Sequence, residues 1–110
     1  MSFIKYQKEK ARRKGIANTI GINRKGRFAF YKQVIQKCFN GAEYVEFFYD
    51  DKENQIGILP LTEPSRDTFK IQGITTKTVT AKKFMNRFQI SIEDRRYNFE
   101  FEDGMMIIRL

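Results

Sequence analysis

Along this chain the spacing of apolar residues switches between a period of two and a period near that of a helix. Ile16, Ile20 and Ile22 fall on one side of a strand over Ile16–Ile22, and Arg27 to Phe30 reads as a short return strand. Between them, Asn23-Arg24-Lys25-Gly26 has turn chemistry, with Gly26 free to take positive φ. The pattern predicts a hairpin carrying Arg24, Lys25 and Arg27 at its tip. From Tyr31 to Phe39, the residues Val34, Ile35, Cys38 and Phe39 make one stripe of a short helix, which Asn40-Gly41 ends. Tyr44 to Tyr49 is β-branched and aromatic, with Val45, Phe47 and Tyr49 on one face. A polar turn over Asp50 to Asn54 leads to a return strand, Gln55 to Leu61. Its Pro60 cannot donate to a ladder, so that strand lies at an edge or ends there.

Thr62 to Asp67 (TEPSRD) is polar, contains Pro64, and reads as a linker. The pattern then returns. Phe69 to Ile71 and Thr76 to Thr80 read as strands, with Thr80 placed to cap a second helix. That helix carries Ala81, Phe84, Met85 and Phe88 on one stripe. Tyr97, Phe99 and Phe101 alternate with Asn98 and Glu100, and Asp103-Gly104 is a two-residue hairpin signal before Met105 to Leu110.

The halves can be laid over one another, with coincidence between common β-α-β-β pieces as the plainer reading of the few identities. A shift of 50 places Lys32 over Lys82, Val34 over Phe84, Ile35 over Met85, Lys37 over Arg87 and Cys38 over Phe88. A shift of 54 places Val45 on Phe99, Glu46 on Glu100 and Phe47 on Phe101. The expected fold is α+β: a mostly antiparallel sheet or barrel-like core with two short helices. Residues 1–15 form a basic N-terminal arm or helix, and residues 16–110 a single domain. Within it, two β-α-β-β half-repeats are expected at about 16–61 and 68–110, packed on each other because neither has much apolar surface to bury alone.

The 110 residues are 41% hydrophobic and 15% aromatic, including 11 Phe, enough for a real core. One Cys and no His narrow the chemistry. Cys38 has no partner for an internal disulfide, which fits a reducing compartment, and it is read as a buried small hydrophobe. No zinc site and no imidazole-activated nucleophile can be assembled. The acidic turn Asp50-Asp51-Lys52-Glu53 lacks the alternation of a calcium loop and reads as a solvated turn. No span, signal peptide, metal or cofactor is expected, and the chain reads as a non-enzymatic cytoplasmic protein with no membrane partner.

Charge adds the functional expectation. The net charge is +8, yet residues 1–32 alone hold six Lys and four Arg against one acid, Glu9, giving +9; the remainder is −1. Surplus cations at one end point to an anionic partner. The candidate contacts are Lys10, Arg12, Arg13 and Lys14 in the run KARRKG, then Arg24, Lys25, Arg27 and Lys32, with Tyr31 as a stacking group. Lys and Arg neutralise phosphates without regard to sequence, and aromatic rings among cations hold single strands. Tyr6, Phe28 and Phe30 are also interleaved with cations, but Phe28 and Phe30 feed a helix and are read as core. A solvated cationic tail is the plainer reading of residues 5–15.

At GRFAFYKQVIQKCFNGAEYVEF, Gly26 to Phe47, the chain resembles the half-module of the SpoVT/AbrB swapped-hairpin DNA-binding family, antitoxin relatives included. The likeness is a Gly-Arg strand, a Lys at a helical turn, an apolar pair, a Gly and a Val-Glu-Phe strand. Tyr31 stands where Pro is usual, and the segment from Gly41 to Val45 is about a residue short. The resemblance implies an interleaved dimer with Arg24, Arg27 and Lys32 near DNA, or a fused double module within one chain. The basic, aromatic-rich composition also looks like the ThermoDBP-type single-strand binders of thermophilic archaea. The expected partner is therefore nucleic acid, DNA rather than RNA. The family likeness favours duplex and the aromatics favour single strands. A homodimer is expected from open strand edges such as Ile16–Ile22. The competing expectation is an antitoxin-like assembly module whose arm meets an acidic protein.

Overall fold

Every second residue of β1 (Thr19–Ile22) and β2 (Arg27–Phe30) is buried: Ile20 and Ile22 in the first, Phe28 and Phe30 in the second. The computed structural model, which describes residues 19–73 and 76–110, continues this alternation around one antiparallel sheet. The further strands are β3 (Tyr44–Asp50), β4 (Gln55–Leu61), β5 (Phe69–Lys70), β6 (Lys77–Thr80), β7 (Arg95–Glu102) and β8 (Met105–Arg109). They lie in the order β5-β3-β4-β8-β7-β1-β2-β6. Just past β5, Gln72 and Thr78 exchange backbone hydrogen bonds of 2.9 and 2.8 Å, which joins the two ends of that order. The sheet thus curls into a nearly closed barrel.

The interior is apolar and aromatic. Ile20, Phe28, Phe30, Val45, Ile56, Ile58, Met106 and Ile108 are fully buried. Two short helices pack against this core. The first, α1 (Lys32–Val34), continues as a π-helical turn over Ile35–Phe39 and contributes Val34, Cys38 and Phe39. It ends as its Asn-Gly pair requires, with Asn40 in the left-handed region. The second, α2 (Lys82–Arg87), contributes Phe84 and Met85. Phe47 touches Phe28, Phe84 and Phe69 at ring separations of 4.8, 5.2 and 5.2 Å, and so joins β2, α2 and β5.

The expected α+β class, the sheet-dominated barrel-like core and the two short helices match this architecture; several details differ. Thr80 does not cap α2: it pairs with Arg27 as the last residue of β6, and Ala81 takes the cap position without a side-chain bond. The sheet ladder claimed the residue that capping would have used. The apolar stripe of α2 ends early, since Phe88 is 42% exposed and leans on Tyr49 and Phe84. Pro60 sits where β4 has outrun its neighbour β8, so its missing donor breaks no ladder bond on that side. The edge at 16–22 expected to invite self-association is covered over its described part, because β1 lies between β2 and β7. Residues 16–18 and the arm at 1–15 lie outside the described residues.

Gly26 links the first hairpin to α2. Its φ is +83°, and a Cβ there would stand 2.9 Å from both the backbone nitrogen and the Cα of Lys82. Its carbonyl accepts the Ala81 N–H at 2.8 Å. Gly104 also has positive φ, but a Cβ there meets nothing within 4 Å. Gly104→Ala should therefore cost only the backbone strain, about 1 kcal/mol, whereas Gly26→Ala should cost about 2 to 3 kcal/mol in urea denaturation. Equal losses would refute the tight seating of the hairpin on α2.

Candidate nucleic-acid interface

The turn joining β1 to β2 is held by its own asparagine. The Asn23 side-chain oxygen accepts the N–H groups of Lys25 and Arg27, each at 3.0 Å, and its carbonyl accepts the Gly26 N–H at 3.0 Å. Asp94, just ahead of β7, accepts the Arg24 N–H at 2.7 Å and lies 3.7 Å from the Arg24 guanidinium. Both side chains are mostly exposed, so the ion pair itself contributes little; the backbone bond anchors the tip. The turn therefore presents Arg24, Lys25 and Arg27 from a braced backbone. Lys82, exposed at the start of α2, packs its backbone beside Gly26 and adds a cation to the same end.

Strand register assembles the rest. Because Ile20, Ile22, Phe28 and Phe30 point inward, Gly21, Arg27, Ala29 and Tyr31 face outward. Gly21 pairs with Ala29 on one side and with Arg96 of β7 on the other. With nothing larger than a methyl group in that row, the Tyr31 ring lies back across it: a Cβ on Gly21 would stand 2.8 Å from the Tyr31 hydroxyl. The Arg96 guanidinium lies 5.1 Å from the Tyr31 ring centre, and Arg95 lies 4.1 Å from that of Tyr97. These contacts enclose an open cavity of about 320 Å³ on the outer face, with Arg27, Arg95, Arg96 and Tyr31 around a floor of Gly21 and Ala29.

The expected site residues divide as follows. Arg24, Lys25 and Arg27 come together at the hairpin tip, and Tyr31 reaches toward them along the outer face of β2. Lys32 opens α1 at the far end of β2, exposed and apart from the cavity. Lys10, Arg12, Arg13, Lys14 and Tyr6 lie outside the described residues. Phe28 and Phe30 are fully buried, as read. Arg95 and Arg96 were missed. Their signal is an Arg doublet directly ahead of the alternating run Tyr97–Phe101, hidden within the near-neutral total of residues 33–110. Outward positions of β7 change sign along the strand, from Arg96 through Asn98 to Glu100 and Glu102, so the cation of this row lies on the side of the hairpin tip.

Among the described residues no cluster of His, Cys, Asp or Glu is placed to hold a metal ion, and no helix is long and apolar enough to cross a membrane. The acidic turn is self-contained, with the Asp50 carboxylate accepting the Lys52 and Glu53 N–H groups at 3.0 and 3.3 Å. The chain matches no protein family, no curated protein and no solved structure.

Cys38 is a packing residue, 7% exposed, and burial pushes its thiol above the ordinary value of 9.0 while Lys37 pulls it down by less. A raised folded-state value means that the unfolded chain releases the proton first. The neutral thiol thus contributes stability that is fully present below pH 9.0 and is lost as pH rises through the folded value. The stability difference between wild type and Cys38→Ala should accordingly shrink as pH rises above about 9 in urea denaturation. A difference that stays constant would place the thiol in contact with water.

Proposed function

We propose that this chain is a non-enzymatic nucleic-acid-binding protein that grips phosphates through the cationic β1–β2 hairpin tip and the outer face beside it, together with the basic run Lys10, Arg12, Arg13 and Lys14. The observation that supports the reading is the presentation of Arg24, Lys25 and Arg27 on a braced hairpin tip, with Arg96 beside them on the outer face through the pairing of β1 with β7. Four cations carried by a braced turn and its neighbouring strand suit a polyanion better than a single acidic side chain. DNA is proposed over RNA on the likeness to the SpoVT/AbrB family.

The strand order supports the half-repeat part of that likeness. Exchanging β1, β2, β3 and β4 for β5, β6, β7 and β8 in turn reproduces every neighbour relation, including the bridge from Gln72 to Thr78. Each half is a β-α-β-β unit with one further strand ahead of it, and each has its helix between second and third strands. A fused double module would give one chain what that family builds from two, so the proposal needs no second copy; a homodimer through the edge of β1 loses its basis.

With about five phosphates engaged, the logarithm of affinity should fall with the logarithm of salt at a slope near about −4. Replacing Arg27 and Arg96 together by Gln should flatten the slope by about 2. Affinity insensitive to salt, or no binding to DNA or RNA at low salt, would sink the proposal. Deleting residues 1–15 should weaken binding; unchanged affinity would assign the arm to an acidic protein partner instead.

A further inference from the structure

The geometry points to the cavity beside Tyr31 as a stacking site for one unpaired base, which makes single-stranded nucleic acid the ligand of this face. The inference rests on the nucleic-acid reading above and deepens it. Its lining is mostly apolar, with Gly21 and Ala29 at paired positions of adjacent strands and the hydroxyl end of Tyr31 resting over Gly21. Tyr31 forms one wall, and its ring is only half-buried. Arg27 and Arg96 stand at the rim, and the carboxylate in the lining, Asp94, is engaged by Arg24.

An apolar floor does not suit a phosphate, which needs donors converging on it from within. It suits a flat ring, with the phosphates on either side of that ring meeting the rim arginines. At about 320 Å³ the cavity lies at the small end of ligand sites, which fits a single base and not a longer stacked run. Base faces are accepted by aromatic rings and by guanidinium planes alike. Tyr31 and Arg96, already 5.1 Å apart, therefore offer two such surfaces side by side. In a duplex both faces of every base are covered by its neighbours, so only a base already free of the stack can enter.

The small residues have a specific part here. Any side chain on Gly21 would strike the Tyr31 hydroxyl, lifting the ring from the floor, and a long side chain on Ala29 would occupy the space itself. Sheet surfaces are ordinarily covered by larger side chains at such positions. A row of small residues that seats an aromatic ring between Arg27 and Arg96 is the feature that a purely electrostatic surface does not need.

The test compares three probes by fluorescence anisotropy at one low salt concentration: oligothymidylate of about ten nucleotides, an abasic strand of the same length, and a duplex. Wild type should bind oligothymidylate about tenfold more tightly than the abasic strand, which offers the same phosphates without rings. It should also prefer oligothymidylate to the duplex. In Tyr31→Ala the ratio of intact to abasic affinity should fall towards one, and Tyr31→Phe should keep it. Ala29→Met, which fills the floor and leaves the charge and Tyr31 in place, should lower the same ratio and serves if Tyr31→Ala does not fold. Equal wild-type affinity for intact and abasic strands, a preference for duplex, or a ratio untouched by both cavity variants overturns the inference and leaves phosphate binding standing. Failure of all three probes to bind removes the function and the inference together.

Discussion

The Phe47 ring is packed between Phe28, Phe69 and Phe84, and this junction is the constraint on which the remaining structure depends. Phe28 comes from the first hairpin, Phe69 from the strand after the TEPSRD segment, and Phe84 from the second helix. No one of those elements has enough apolar surface to be stable by itself. Held together they fix which face of each strand is inside. Because side chains alternate along a strand, that choice settles the outside as well. A slip of one residue in β2 would bring Arg27, Ala29 and Tyr31 inward and expel Phe28 and Phe30. Burying an unpaired guanidinium in an aromatic interior is far too costly for that register to compete.

The outer face inherits its character from this arrangement. Arg96 is remote from Tyr31 in sequence, and only the pairing of β1 with both β2 and β7 brings it over the same row of small residues. Closure matters for the same reason. A sheet whose ends meet, as Gln72 and Thr78 make these meet, leaves few free backbone donors for another strand to use. Contacts with a partner must then go through side chains on the barrel surface, where charge and shape decide what is accepted.

Much of the fold was legible because period-two alternation is strong in this chain. Arg27–Phe30 and Gln55–Leu61 have the bounds the pattern predicts, and Asp103-Gly104 forms the turn its residues imply, both with positive φ. Thr80 shows where local signals fail: capping is a preference of about 1 kcal/mol, and a strand partner across the sheet overrides it. Phe88 and Phe101 sat on apolar stripes yet are 42% and 46% exposed: Phe88 follows the last residue of α2, and Phe101 lies beyond the described pairing of β7 with β1. Half of the candidate site could be read from the hairpin tip, where neighbours in sequence are neighbours in space. Arg95 and Arg96 could not be placed there without the strand order, which no local pattern encodes.

The hairpin tip bears on how strongly such a surface can act. Its backbone is braced three times: by the Asn23 side chain, by Asp94 ahead of β7, and by Gly26 against the start of α2. A cation on a loose segment loses both backbone and side-chain freedom when a phosphate orders it, and that loss subtracts from the interaction. Here folding has already fixed the backbone, so only the Arg and Lys side chains remain to be ordered. The same bracing sets the spacing of the charges, and a polyanion with a different spacing gains fewer simultaneous contacts. If this surface binds a polyanion as proposed, rigidity at Gly26 serves selectivity as well as stability, even though Gly26 itself has no side chain with which to touch a ligand.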